Sequence, residues 1–282
     1  MSLLRLGRRK DKKDELRKVL GDYNLPSFPG AVMQVLQTIR DPQASAGSVA
    51  EVLAVDPGLS VRVLRVANSP VFSPVRKVEN LAQAVALVGL TELESLVLSM
   101  SVRSSLPTDA ADGYDFSRFW LASARRGFVA RALASILCPA WESESFTAGL
   151  LQDMALPFLA HQRSKDYGPV LREWHSTDVR LYDLERKAFG WDHAEVGAWI
   201  CGEWDLPDSI TSAIGGHHPK EGAAECPASV ALSACLREAE ERPGVDDFIE
   251  LAASRYQIDR ERAGEIIESA FQRAEEFTRL LG

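Results

Sequence analysis

The chain has 282 residues, of which 46% are hydrophobic and 26% charged, the balance of a globular protein with enough apolar material for a sizeable core. This excludes collagen-like, disordered and disulfide-scaffold classes, and no stretch approaches the ~18 consecutive apolar residues that span a bilayer. The net charge is −8, but residues 1–18 carry eight Lys/Arg against three Asp/Glu, a local +5 that leaves −13 on the remainder.

That basic tail either touches nucleic acid or anionic lipid through screened electrostatics or is a solvated chain end. It begins MSLLRLGRRK and lacks the apolar core and small-residue cleavage site of an export signal. Cys138, Cys201, Cys226 and Cys235 lie far apart with no C-x-x-C pair, so reduced thiols and a cytoplasmic location are expected.

Beyond the tail, runs of Ala, Leu, Val, Glu and Arg are punctuated by single Gly, Pro or Asp. Strand-like alternation bounded by hairpin turns is scarce, which predicts an all-α fold. Ser48 with Glu51 reads as a capping box for a helix running to about Val55. Asp56 then supplies an N-cap, with Pro57 at the first helical position. In the helix that follows, Leu59, Val63, Leu64 and Val66/Ala67 form a buried stripe while Arg62 and Arg65 point outward. Asn68 suits a left-handed cap before Ser69-Pro70. The stretch LAQAVALVGL ends at Gly89, and Thr91 with Glu94 marks a second boxed start, for TELESLVLSMSV. This pair has the outline of a helix-turn-helix, with Ala84 before the turn and Gly89 in it. Its second helix offers Glu92 and Glu94 and no base until Arg103, so it repels phosphate and specific DNA binding is not expected.

Pro, Gly and Asp accumulate over Leu106–Asp115, which predicts a break. Helices are then predicted around 117–137, 142–161, 166–175, 179–188, 192–204 and 207–215, with Gly190 and Gly215-Gly216 as stops. The charged stretch EAEERPGVDD precedes a last amphipathic pair. The expected organisation is a basic tail 1–18, a helical subdomain 19–108, a second at 109–239 and a C-terminal helical extension 240–282, with no internal repeat.

Only five histidines are present, His161, His175, His193, His217 and His218. His193 falls near the start of one helix and His217-His218 just past the end of the next. Asp153 stands inside an apolar helix, where a carboxylate needs a partner or a metal. These four side chains are candidates for one cluster. Six tryptophans, Trp120, Trp141, Trp174, Trp191, Trp199 and Trp204, either offer a platform for stacking a guanine base or are core residues. No P-loop, G-x-G-x-x-G, G-x-S-x-G or H-E-x-x-H motif occurs.

Several segments together carry a resemblance. They are DPGLSVRVLRVANSPVF (Asp56–Phe72), in which Asp56, Pro57, Leu59, Ser60, Asn68 and Ser69 form the signature, then LAQAVALVGLTELESLVLS, Phe119-Trp120, AGLLQDMA, and ERKAFGWDHAEVGAWICGEWDLPDSITSAIGGHH. From roughly Asn24 to Pro219 the chain resembles an HDOD domain, the HD-related output domain of bacterial signalling proteins. The resemblance implies two packed helical subdomains, the C-terminal one similar to HD phosphohydrolases. Those enzymes bind divalent metal with an early His, a His-Asp pair, further histidines and a late Asp, and direct metal-activated water at phosphoesters. Here no histidine precedes His161, so the early ligand, due near Ala122 or Ser123, is missing. The pair reads Gln152-Asp153, and Cys235 stands where the late Asp is due. Only Asp153, His193, His217 and His218 match.

By this resemblance the chain is expected to be a non-catalytic signal-transduction module that binds a signalling protein in trans, or a nucleotide or other small ligand. Its relict pocket would hold Gln152, Asp153, Glu185, His193, His217 and His218, with no cofactor. In a purely structural version, His193 caps a helix while His217 and His218 bond to Asp153 or Glu185. The alternative is a metal-dependent phosphohydrolase or phosphodiesterase with a single divalent ion on Asp153, His193, His217 and His218, an amide being the weaker donor at position 152.

Overall fold

In the computed structural model the described residues are 19–21, 25–108, 114–218, 226–237 and 244–281. The basic tail 1–18 lies outside them. All regular structure among the described residues is helical. They form two compact units, one of residues up to Pro26 with Leu106–Phe271, the other of Ser27–Ser105 with Gln272–Gly282. Neither unit is one continuous stretch, in contrast to the consecutive segments 19–108, 109–239 and 240–282 that the sequence suggested.

The unit containing Ser27–Ser105 holds α1 (Gly30–Ile39), α2 (Ala46–Leu53), α3 (Pro57–Ala67), α4 (Leu81–Val88) and α5 (Leu90–Ser105). The capping box of α2 sits one turn earlier than expected. Ser45 is the N-cap, its hydroxyl accepting from the Ser48 N–H at 3.1 Å while Ser48 Oγ accepts from the Ser45 N–H at 3.0 Å. Ser48 therefore closes the box that it was expected to open, and α2 stops at Leu53 rather than Val55. Asp56 caps α3 as its chemistry dictates, Oδ1 accepting from the Leu59 N–H at 3.0 Å, with Pro57 at the first helical position. Leu59, Val63, Val66 and Ala67 are buried, and Leu64 is half-buried.

Asn68 is not left-handed, with φ −90° and ψ 3°. Its side chain works at longer range. The amide donates to the Leu64 and Val78 carbonyls, both at 2.9 Å, and Oδ1 accepts from the Val78 N–H at 2.8 Å. One side chain thus closes residues 69–77 into a loop. Gly89 at φ +83° sets a 107° bend between α4 and α5. Because α5 begins at Leu90, Thr91 is not its cap, and Glu94 instead accepts from Arg40 Nε at 2.6 Å. Leu93 and Ser95–Val102 of α5 are buried, so packing occupies most of its surface. Among the described residues no single helix is long and apolar enough to cross a membrane.

The other unit begins with α6 (Phe116–Leu137), α7 (Glu142–Leu151) and α8 (Ala155–Gln162). The single helix expected over 142–161 is two helices. Pro157 has no N–H to offer the carbonyl four residues back, and its ring crowds that carbonyl; Asp153 O instead accepts from the Leu156 N–H at 2.9 Å. Asp153 consequently sits at the break. At the α6–α7 crossing, a Cβ on Gly149 would lie 2.8 Å from Ala130 Cβ and 3.0 Å from Arg126 O, so only glycine permits the approach.

Then follow α9 (Ser164–Ser176), α10 (Leu181–Phe189), α11 (His193–Glu203), α12 (Asp208–Gly215), α13 (Ala228–Ser233), α14 (Val245–Tyr256) and α15 (Arg260–Leu281). α11 packs on α12 and α8, and α13 on α6, α7 and α14. This packing gathers the ends of α10, α11 and α12 around the α7–α8 break.

Candidate functional site

The site is built from helix ends. Asp192 caps α11, Oδ1 accepting from the Glu195 N–H at 3.0 Å, and its other oxygen is gripped by Arg186 Nε and Nη2 at 2.8 and 2.6 Å. His193 is then the first residue of α11 rather than its cap. Glu185, fully buried on α10, accepts from the His193 backbone N–H at 3.0 Å and from His193 Nδ1 at 2.6 Å through the same oxygen. Its other oxygen takes the Tyr167 hydroxyl.

His193 Nε2 lies 2.8 Å from His218 Nε2 and 3.3 Å from Asp153 Oδ1. Burial by itself would lower the His193 pKa, but the Glu185 and Asp153 carboxylates outweigh it and raise the pKa to about 10. The imidazolium so formed donates from both nitrogens. His218 is the complement: burial and the neighbouring His217 and His193 push its pKa well below 6.5, so it stays neutral and accepts. His217 donates Nδ1–H to the Ile214 carbonyl at 2.6 Å and turns Nε2 toward Asp153 Oδ1 at 3.2 Å.

Asp153 is the hub. Burial would raise its pKa, but Arg126, then His193 and His217, hold it well below the usual carboxylate range. Arg126, 2% exposed on α6, places Nη2 2.9 Å from Asp153 Oδ2 and 3.3 Å from Ser123 Oγ. Its Nη1 donates to Leu236 O at 3.3 Å.

The structure therefore brings together Asp153, Glu185, His193, His217 and His218. Gln152 is buried but its amide oxygen accepts from Ser233 Oγ at 3.5 Å, on the side of α13. The expected partners differ in detail. Glu185 holds His193 rather than His217 or His218, and His218 meets an imidazole rather than a carboxylate. Arg126, Tyr167 and Arg186 were absent from the sequence reading. The available signal for Arg126 was a basic residue amid small ones, in RRGFVARALA. Of the tryptophans, Trp120 and Trp204 are buried, Trp191 stacks on Phe189 at 4.8 Å, and Trp174 lines the narrow space beside Asp153 and His193. Asp56, Pro57, Leu59, Ser60, Asn68 and Ser69 belong to the other unit, where Asp56 caps α3 and Asn68 closes the 69–77 loop.

The HDOD domain pattern matches residues 25–220. The chain belongs to the HDOD family. A crystal structure of an HDOD domain protein of unknown function from Geobacter sulfurreducens superposes with a TM-score of 0.71 at 22% identity, covering 97% of this chain and 96% of that one. A proposed phosphohydrolase from Shewanella amazonensis SB2B gives 0.74 at 21% identity, covering 95% and 98%. A proposed signal transduction protein from Marinobacter aquaeolei VT8 gives 0.72 at 20%, covering 98% and 66%. At these identities the likeness speaks for the fold. An uncharacterized protein of Treponema pallidum (strain Nichols) is 23% identical over 208 residues, 69% of this chain, which spans 38% of that relative's length.

Membership in the HDOD family raises the question of an HD-type metal. In favour, His193, His217 and His218 place ligand nitrogens within 4.8 Å of one another, and Asp153 Oδ1 lies 3.3 Å from His193 Nε2 and 3.2 Å from His217 Nε2. Against it, Asp153 Oδ2 is held by a buried guanidinium and the Gln152 amide points elsewhere. These residues do not fit the two-metal centre of an HD phosphohydrolase.

Proposed function

We propose that this HDOD protein is a non-catalytic signal-transduction module whose HD-type centre is cross-linked by a cation of the chain itself. It acts in the cytoplasm and relays the binding of a protein partner in trans or of a small ligand. One observation carries the reading. The Arg126 guanidinium reaches Ser123, Asp153 and Leu236, touching or adjoining each place where the resemblance leads one to expect a lost metal ligand. A protein-borne charge thus occupies the role of an ion. The Marinobacter relative's name agrees with a signalling role.

The test is elemental mass spectrometry of the tag-free protein before and after dialysis against a weak chelator, followed by turnover of bis-p-nitrophenyl phosphate with manganese present. Metal well below one equivalent and no turnover above background are expected. One tightly held transition metal per chain, with turnover that His217→Ala abolishes, overturns the reading.

That outcome would establish the second reading, a phosphohydrolase with a single metal on Asp153, His193, His217 and His218. The three imidazoles, whose ligand nitrogens lie within 4.8 Å of one another, and Asp153 Oδ1, 3.2 Å from His217 Nε2, favour it, as does the name of the Shewanella relative.

A further inference from the structure

Beside the histidine cluster lies a second, larger cavity of about 370 Å³, bounded by the start of α10, the end of α12, α13 and α14. Small-molecule sites run from about 300 to 1,000 Å³. The space at Asp153 and His193 is about 50 Å³, room for waters only. The two spaces share Arg180, Tyr182, His218 and Ala234, so a ligand in the larger one would abut the cluster.

The charged lining of the larger cavity is Arg180 and Arg255, with no Asp or Glu among its described lining residues, in a chain of net charge −8. Arg180 is steadied by Asp247 at 3.0 Å. The Cys235 thiol, also in the lining, reports the local field. Burial raises its pKa and Asp247 adds to the rise, while Arg180, Arg255 and Arg237 lower it. Arg180 and Arg255 are the charged groups of its described lining. Tyr182, set against His218 at 4.3 Å, together with Tyr256, Leu232 and Leu251 supplies the hydroxyl, ring and apolar surface. Leu232, Leu251, Arg255 and Tyr256 lie beyond the matched residues 25–220, so this cavity depends on a part of the chain outside the family match.

We propose that the cavity binds a small phosphate-bearing ligand with a planar ring, of mononucleotide size, the phosphate held by Arg180 and Arg255 and the ring lying against Tyr256 and the leucines. Paired guanidinium forks match a phosphate dianion in both charge and geometry. Aromatic side chains stack on planar rings. This names a ligand class for the binding role proposed above and rests on that reading.

The test is titration calorimetry on the full chain with AMP and GMP, against adenosine, guanosine and inorganic phosphate as separated halves. Saturable binding of at least one nucleotide is expected, with either half about tenfold weaker or more. Arg255→Gln, at an exposed position, is expected to weaken nucleotide binding about tenfold at unchanged Tm, and Tyr256→Leu to weaken it as well. No saturable binding at millimolar nucleotide, or undiminished binding by Arg255→Gln, overturns the assignment. If nucleotide binds but is consumed with phosphate release, the cavity stands and the non-catalytic reading falls. If metal-free, inactive protein binds neither nucleotide, the cavity assignment falls and the reading stands.

Discussion

The buried Arg126 guanidinium and the largely covered Asp153 carboxylate, 2.9 Å apart, are stable only together, because either alone is an uncompensated charge in a poor solvent. Removing one partner of such a pair costs about 3–5 kcal/mol, whereas replacing both by apolar groups is often far cheaper. Arg126→Leu and Asp153→Leu are each expected to lower stability by about that amount in urea unfolding, and the double variant by less than the sum; strict additivity would mean that the pair is not coupled. The histidines predict a pH profile. His193 binds its proton in the folded state up to about pH 10, against about 6.5 when unfolded. Between those values the folded chain holds more protons, so this contribution is complete below pH 6.5 and is lost as pH rises toward 10. His218 acts in the opposite direction: neutral when folded, it favours the unfolded chain as pH falls below 6.5. Urea midpoints measured from pH 5 to 9.5 are expected to peak between these limbs, and the alkaline limb to flatten in His193→Gln.

At the scale of single elements, close approach and loop closure decide. Gly149→Ala forces a methyl to within 2.8 Å of Ala130 Cβ and is expected to cost about 1–3 kcal/mol, read from thermal melts. Asn68→Ala removes three hydrogen bonds that close residues 69–77. It is expected to cost about 1–3 kcal/mol and to speed proteolysis inside that loop; an unchanged cleavage rate would refute the clamp. These elements also show what a sequence discloses. Asp56-Pro57 was readable because a cap and its partner lie three residues apart, and the helical class because periodicity is local. Asn68 was misread because Val78, its partner, is set by tertiary folding. The break after Leu151 had its signal in Pro157, outweighed by the apolar run around it. Asp153, His193, His217 and His218 were legible because so few histidines exist. Arg126 was not, since its contacts at Asp153 and Leu236 lie 27 and 110 residues away and no spacing rule spans such separations.

For the whole molecule, the notable feature is the path of the chain. α15 begins with residues assigned to one unit, and from Gln272 onward belongs to the other. There Ala274 and Phe277 are buried, and Arg65 Nη1 donates to Leu280 O at 3.1 Å. Burying one phenylalanine is worth about 1.5–3 kcal/mol, so a chain ending at Phe271 is expected to lose amide-exchange protection in α1–α5 while α6–α13 keep theirs. Equal loss everywhere would contradict that division. The same path sets an order on synthesis. A ribosome delivers Ser27–Ser105 before Leu106–Phe271, yet residues 272–281, which complete the unit of Ser27–Ser105, emerge only after both. The helices made earliest are therefore finished last, and they wait, incompletely covered, while the unit bearing the histidine cluster is translated.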